Sequence, residues 1–242
     1  MKNLKIIIFI LLIIFPLRVS VGYEHFKHWD MSDGLSNNTV KSITQDHLGF
    51  IWLGTFNGLC KFDGVDFTIF RHDSQDSLSI INNYVEVVAS VGDELWVGTE
   101  QGLDLYSYKE NNFRLCEWIL PTGERRRITK SIKNIVVNQG KVFVLTFSHE
   151  LLVRKEGGVF ETCDYKKKIE WLSISDYKEG VLIGHATDGL YVIDSNEMRI
   201  RAHFPFDSKV LSDCLYYSAN KDMIFLGFGI GYPSLVFRMN KE

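Results

Sequence analysis

One motif recurs five times along this chain, and that rhythm restricts the fold more than any other property of the sequence. Asp46-His-Leu-Gly49-Phe-Ile-Trp52-Leu-Gly54-Thr-Phe-Asn-Gly58-Leu returns as Gly92-Asp-Glu-Leu-Trp96-Val-Gly98-Thr-Glu-Gln-Gly102-Leu. Looser copies read Gly140-Lys-Val-Phe143-Val-Leu-Thr146, Gly180-Val-Leu182-Ile-Gly184-His-Ala-Thr-Asp-Gly189-Leu and Asp222-Met-Ile-Phe225-Leu-Gly227-Phe. The bulky marker residues Trp52, Trp96, Phe143, Leu182 and Phe225 stand 44, 47, 39 and 43 residues apart. A period of this length filled with short strands belongs to propeller blades rather than to helical solenoids.

Each copy divides into four strands. In the first, Val40 to Gln45 is rich in β-formers, Phe50 to Thr55 follows a turn, and Asn57-Gly58 is a hairpin signal before Leu59 to Phe62. Asp63-Gly64 turns the chain into Phe67 to Phe70. The apolar runs are too short and too closely punctuated for ordinary helices. The expectation is an all-β propeller of about five four-stranded blades over residues 23–242, either a complete small ring or part of a seven-bladed one. The blades fall at about 36–70, 80–118, 131–163, 168–204 and 211–239. Residues 24–30 form an outer strand that closes the ring by completing the last blade, which hides sheet edges. The glycines two residues after each marker (Gly54, Gly98, Gly184 and Gly227) let neighbouring sheets approach. Gly49, Gly58, Gly102 and Gly189 serve the turns. Blade three, with Phe143 for Trp and Leu145 for Gly, is expected to be the least regular.

Residues 1–22 stand apart. Lys2 and Lys5 precede an apolar run from Ile6 to Phe15, and Ser20-Val21-Gly22 supplies small residues for cleavage. That is the layout of a secretory signal peptide, and it implies a periplasmic or secreted mature chain that meets the membrane only through this segment. The formal charge of −3 offers no basic excess for a phosphate backbone, which argues against nucleic-acid binding.

The segment from Leu35 through Asp46, Gly49, Trp52 and Gly58 to Gly64 resembles the two-component regulator propeller repeat, closely in the first two copies and loosely in the last three. The resemblance implies the periplasmic sensor region of hybrid two-component histidine kinases, many of them glycan-responsive. It implies as partners an oligosaccharide and either other sensor domains or a dimer partner. In such proteins the sensor is followed by a membrane helix, a kinase, a receiver and a DNA-binding domain. A chain ending at Glu242 is accordingly expected to be a truncated or split sensor without its kinase, or a self-sufficient small propeller.

Direct evidence for chemistry is sparse. Ser148-His149-Glu150-Leu151 imitates a kinase phospho-acceptor box, but it aligns with the hairpin before Leu190 and reads as a turn. Four cysteines (Cys60, Cys116, Cys163 and Cys214) read as free, partly buried thiols, since equivalent positions on adjacent blades lie too far apart to bridge. No Cys-x-x-Cys or paired-His spacing suggests zinc, and no metal or cofactor is expected. Trp29, Trp118 and Trp171 lie off the marker position and are candidates for stacking on sugar rings, with burial as the alternative. Arg125 and Arg127, with Arg126 between them, are candidates for an anionic contact, with a solvated loop as the alternative. No catalytic residues are identifiable. Binding is therefore favoured over catalysis, and a secreted polysaccharide hydrolase or lyase, or an interaction scaffold, stay open.

Overall fold

The computed structural model describes residues 27–120, 122–163, 169–178, 180–205, 212–218, 221, 223–228 and 235–238. The expected signal peptide, residues 1–22, lies outside them. Among the described residues no helix is long and apolar enough to cross a membrane. A single 3-10 turn among the described residues, Met31–Asp33, precedes the strands.

Five sheets follow in sequence among the described residues, antiparallel apart from one pairing in the third. The first contains β1 (Val40–Gln45), β2 (Ile51–Thr55), β3 (Gly58–Phe62) and β4 (Phe67–Phe70), and the second β5 (Val85–Val91), β6 (Glu94–Thr99), β7 (Gly102–Ser107) and β8 (Asn112–Leu115). The third holds six strands: β9 (Glu117–Ile119), β10 (Arg125–Arg127), β11 (Ile132–Asn138), β12 (Lys141–Thr146), β13 (Leu151–Arg154) and β14 (Phe160–Thr162). The fourth has β15 (Trp171–Lys178), β16 (Val181–Ala186), β17 (Gly189–Asp194) and β18 (Arg199–Pro205). The fifth has β19 (Ser212–Ser218), β20 (Met223–Phe228) and β21 (Leu235–Arg238). The first strands of successive sheets pack side by side, β1 on β5, β5 on β11, β11 on β15 and β15 on β19, so the sheets radiate from a common axis.

Two expectations about boundaries need correction. The expected second blade ends at 118 and Arg125–Arg127 are expected in a loop, whereas Glu117–Ile119 and Arg125–Arg127 form the hairpin β9–β10. That hairpin extends the third sheet through a parallel pairing of β9 with β14. The closing strand fares differently. Residues 27–30 are not in a strand, and Trp29 packs edge-on against Phe62 of the first sheet, with ring centroids 5.3 Å apart. The rest of that expected strand, 24–26, lies outside the described residues. Among the described residues β1 and β19 do not pack together as the neighbouring inner strands do.

Strand alternation fixes which residues fill each interface. Trp52 projects from the first sheet onto Val85, Val88 and Val97 of the second, and Trp96 from the second onto Ile132, Ile135 and Val144 of the third. In the second, third and fifth sheets the residue after the marker (Val97, Val144 and Leu226) points back toward the preceding sheet. Gly54 is required because a Cβ there would lie 2.8 Å from Val85 Cγ1, and Gly98 because it would lie 2.6 Å from Ile132 Cγ2.

The fourth sheet is one residue out of step with the sequence alignment. Ala186 pairs with Gly189 as Thr55 pairs with Gly58, so the forward-facing marker is Ile183, not Leu182. Leu182 instead packs backward with Phe143 and Leu145 of the third sheet. Gly184 thereby serves a different purpose from the one expected. It makes room for the Trp171 ring of its own sheet, whose Cζ3 would lie 2.3 Å from a Cβ at 184. The position held by Gly54 and Gly98 is taken here by His185, which is fully buried. Burial and the nearby Lys133 ammonium push its imidazole down to about 4.

Two tests follow from this register. Opposite the residue after each marker sit Ile43, Val88, Ile135, Ile174 and Leu215 on the inner strands. The last four are 1–8% exposed beneath the preceding sheet, whereas Ile43 is 66% exposed. Val88→Asp therefore loses more than about 3 kcal/mol by burying an unpaired carboxylate, whereas Ile43→Asp changes stability by less than about 0.5 kcal/mol; urea titration of both variants reads the contrast. His185 supplies the second test. Its folded-state pKa lies below the unfolded value of 6.5, so acidification from about pH 6.5 to 4 protonates only the unfolded chain and removes stability. Buried Asp104, raised to about 7, works in the opposite sense, losing stability as pH rises through the same window. His185→Leu, which installs the residue of the third sheet (Leu145), removes the first contribution. Melting temperatures should then fall less between pH 7 and pH 5 than in the native sequence.

Candidate functional site

The site originates in a backbone irregularity repeated in all five inner strands. Each strand pairs its first residue with the third residue after the marker, then skips one residue before pairing resumes: Val40/Ser42, Val85/Val87, Ile132/Asn134, Trp171/Ser173 and Ser212/Cys214. The skipped residues are Lys41, Glu86, Lys133, Leu172 and Asp213. A β-bulge bends its strand and re-aims the extra side chain. In the first three sheets the extra side chain is long and charged, and it is directed at the axis.

Lys41, Glu86 and Lys133 line an axial cavity of about 490 Å³, together with Asn134, Leu145, Phe147, Ser173 and Leu215, so that all five sheets contribute. Lys41 Nζ lies 3.2 Å from Glu86 Oε2 and also sits over the Phe56 ring, 5.5 Å from its centroid. Phe56 stacks on Tyr84 at 4.4 Å, and Lys133 Nζ lies 5.8 Å from the centroid of Phe147. Asn134 Nδ2 donates to Ile174 O across the sheet interface at 2.9 Å, which fixes its amide. Phe147 lines the cavity and is exposed because it sits in the β12–β13 hairpin, while Phe56, exposed in the β2–β3 hairpin, lies beside Lys41. The cavity thus combines cationic donors, a carboxylate acceptor, an oriented amide and one exposed aromatic ring, Phe147. That combination suits a hydroxyl-rich or weakly acidic ligand.

None of the residues singled out from the sequence lines this cavity. Trp118 is buried at the interface of the second and third sheets, beneath the Lys130 ammonium at 4.7 Å. Trp171 is buried between the third and fourth. Neither can stack on a ligand, because each fills an inter-sheet gap. Trp29 is partly exposed on the edge of the first sheet, under Lys27 at 4.7 Å. Arg125, Arg126 and Arg127 are exposed on strand β10 rather than in a loop, and Glu124 binds Arg126 through both carboxylate oxygens at 2.9 Å. His149 occupies a turn with φ +65°, its Nδ1 2.9 Å from Trp171 O, a position unlike the helical face a phospho-acceptor needs. Cys60, Cys116 and Cys163 are free thiols. Burial pushes Cys163 up to about 12 and Cys116 further, so neither is poised as a nucleophile.

The repeat residues support this arrangement from a distance. Asp46 Oδ1 accepts from the backbone amides of Leu48 and Phe50, and Oδ2 accepts from Trp52 Nε1 at 2.6 Å. One carboxylate therefore ties the hairpin to the marker, and these bonds hold its pKa below the ordinary value despite burial. In the second sheet the hairpin shortens to Gly92-Asp93, so no aspartate reaches Trp96, whose Nε1 has no partner among the described residues. The bidentate pair of Arg154 with Glu94 covers that indole instead, the guanidinium lying 4.8 Å above the ring. Thr55 and Thr99 each accept from the amide two residues on and donate to the glycine carbonyl of the next hairpin position, a repeated signal that sequence reading missed.

Comparison with known proteins agrees with this architecture. Residues 34–57 match the family described as two component regulator propeller. Over 55 residues, 23% of this chain and 4% of the relative, the sequence is 49% identical to a histidine kinase of Formosa agariphila. The fold is similar to the extracellular domain of a hybrid two-component system of B. thetaiotaomicron, with a TM-score of 0.69 and 25% identity over 88% of this chain and 30% of that one. A likeness of fold alone extends to PorZ, a surface component of the type-IX secretion system of Porphyromonas gingivalis, with a TM-score of 0.55 and 14% identity over 87% of this chain and 28% of that one. The chain spans less than a third of each of these proteins. By repeat, register and likeness together, this is an all-β propeller chain that carries the two-component regulator propeller repeat.

Proposed function

We propose that the chain is the ligand-binding propeller of an extracytoplasmic sensor of the two-component type, and that its ligand is an oligosaccharide held in the axial cavity. The observation that carries this reading is the bulge repeated in every inner strand, which sends Lys41, Glu86 and Lys133 from three different sheets into one cavity. A sugar is matched by that surface. Its C–H faces pack on Phe147, its hydroxyls donate to Glu86, and its ring or acidic oxygens accept from Lys41 and Lys133. The action is binding without turnover: a ligand touching several sheets at once stiffens their relative placement. In a sensor, that stiffening biases how the propeller meets a dimer partner or a neighbouring sensor domain. The likeness to the extracellular domain of a hybrid two-component system supports both the role and a location outside the cytoplasm.

Calorimetry of the full chain against neutral and uronic-acid-containing oligosaccharides, with chromatography of the recovered sugars, tests the proposal. Binding of one class with the sugars recovered intact is the expected result. Phe147→Ala and Lys41→Gln should each weaken binding by about tenfold, equivalent to about 1.4 kcal/mol, with little change in melting temperature because both side chains stand at the cavity surface. Absence of binding by both classes, or release of shortened sugars, would overturn it.

A further inference from the structure

The third sheet carries something the repeat does not require. Four strands complete a blade, yet β9 and β10 add a second layer of pairing outside β14. Insertions into a repeat are where repeat proteins place added contacts. This one ends in a free strand edge of unusual composition.

Strand β10 is the terminal strand of its sheet, hydrogen-bonded on one side only. Its register pairs Arg125 with Ile119, Arg126 with Trp118 and Arg127 with Glu117. Beyond either end, Leu120 N donates to Glu124 O and Ile128 N donates to Cys116 O. In an antiparallel ladder hydrogen-bonded pairs alternate with non-bonded ones. The bonded positions are therefore Glu124, Arg126 and Ile128, and the amide and carbonyl groups of Arg125 and Arg127 point outward, away from β9. The same two residues project their side chains to one face of the strand. Both are exposed, and neither guanidinium has a carboxylate partner among the described residues. Arg126, on the other face, is neutralised by Glu124. Glu117, opposite Arg127 across the ladder, makes no ion pair with it.

We infer that β10 is a docking edge for an extended acidic segment of a partner protein, which adds as a further strand beside Arg125–Arg127. The outward amides and carbonyls supply main-chain hydrogen bonds, and two carboxylates spaced i and i+2 on the incoming strand meet Arg125 and Arg127 on one face. The required chemistry is thus Glu-x-Glu or Asp-x-Asp in a β-forming context. This surface is separate from the axial cavity, and the inference does not depend on what the cavity binds.

The test is fluorescence anisotropy of a labelled Thr-Glu-Thr-Glu-Thr-Glu peptide against the intact chain, beside a Thr-Lys counterpart. The acidic peptide should bind and the basic one should not. Replacing both arginines (R125Q with R127Q) should weaken binding by about tenfold. Two further probes separate strand addition from charge attraction alone. R127P removes an outward amide without breaking the β9 ladder, and it should bind several-fold more weakly than R127Q. A peptide N-methylated at alternate residues keeps every carboxylate but loses the donors facing β10, and it should not bind. Equal affinity of the methylated and unmethylated peptides, or no binding of the acidic peptide, would overturn the inference; the three arginines would then serve only to keep the edge from pairing with other chains.

Discussion

Each interior sheet in this chain is buried on both faces, and the parity of its second strand decides which side chain goes to which neighbour. The marker residues Trp52, Trp96, Phe143 and Ile183 project toward the next sheet, and Val97, Val144 and Leu226, each one residue after a marker, project toward the preceding one. Because side chains alternate with a period of two, a one-residue error would exchange the two interfaces. The axial cavity, the bulges and the buried His185 all follow from this alternation, since it fixes how the inner strands face the axis.

Part of that alternation was legible in the residues themselves. Trp52 and Trp96 announce their role because few other positions hold so large a ring beside a glycine two residues on. Gly58, Gly102 and Gly189 mark the hairpins because φ is positive there (117°, 155° and 141°). The fourth copy misled for a physical reason. Leu182 and Ile183 are equally apolar and equally buried, so hydrophobicity cannot tell them apart. The hairpin glycine can: counting back from Gly189 as from Gly58 and Gly102 selects Ile183. Gly184 then looked like a sheet-approach glycine when its purpose is to admit a tryptophan.

The candidate site was nearly invisible in the sequence. A β-bulge depends on local twist and pairing, and the five bulged residues mix both signs of charge with an apolar side chain: lysine, glutamate, lysine, leucine and aspartate. Nothing in that series signals a common position. Of the aromatic candidates, Trp118 and Trp171 are buried because a tryptophan off the marker position is still a large apolar body, while Trp29 stays partly exposed. Trp118 and Trp171 sit between sheets, and the cavity received Phe147 from a hairpin instead. The β9–β10 hairpin escaped notice because three consecutive arginines have little strand propensity of their own; pairing with a buried partner strand, anchored by Trp118, imposes the conformation.

The exposure of Ile43 has a consequence for how such an assembly comes apart. A sheet supported from both sides gains two nearest-neighbour couplings, whereas the first sheet, whose Ile43 face no other sheet among the described residues covers, has one. A linear series of coupled units unravels by fraying inward from a weakly held terminus rather than in a single all-or-none step. Hydrogen-exchange protection is then graded along the array, shallow at the uncovered end and deepest around the third sheet. A lone melting midpoint describes an average over units of unequal persistence.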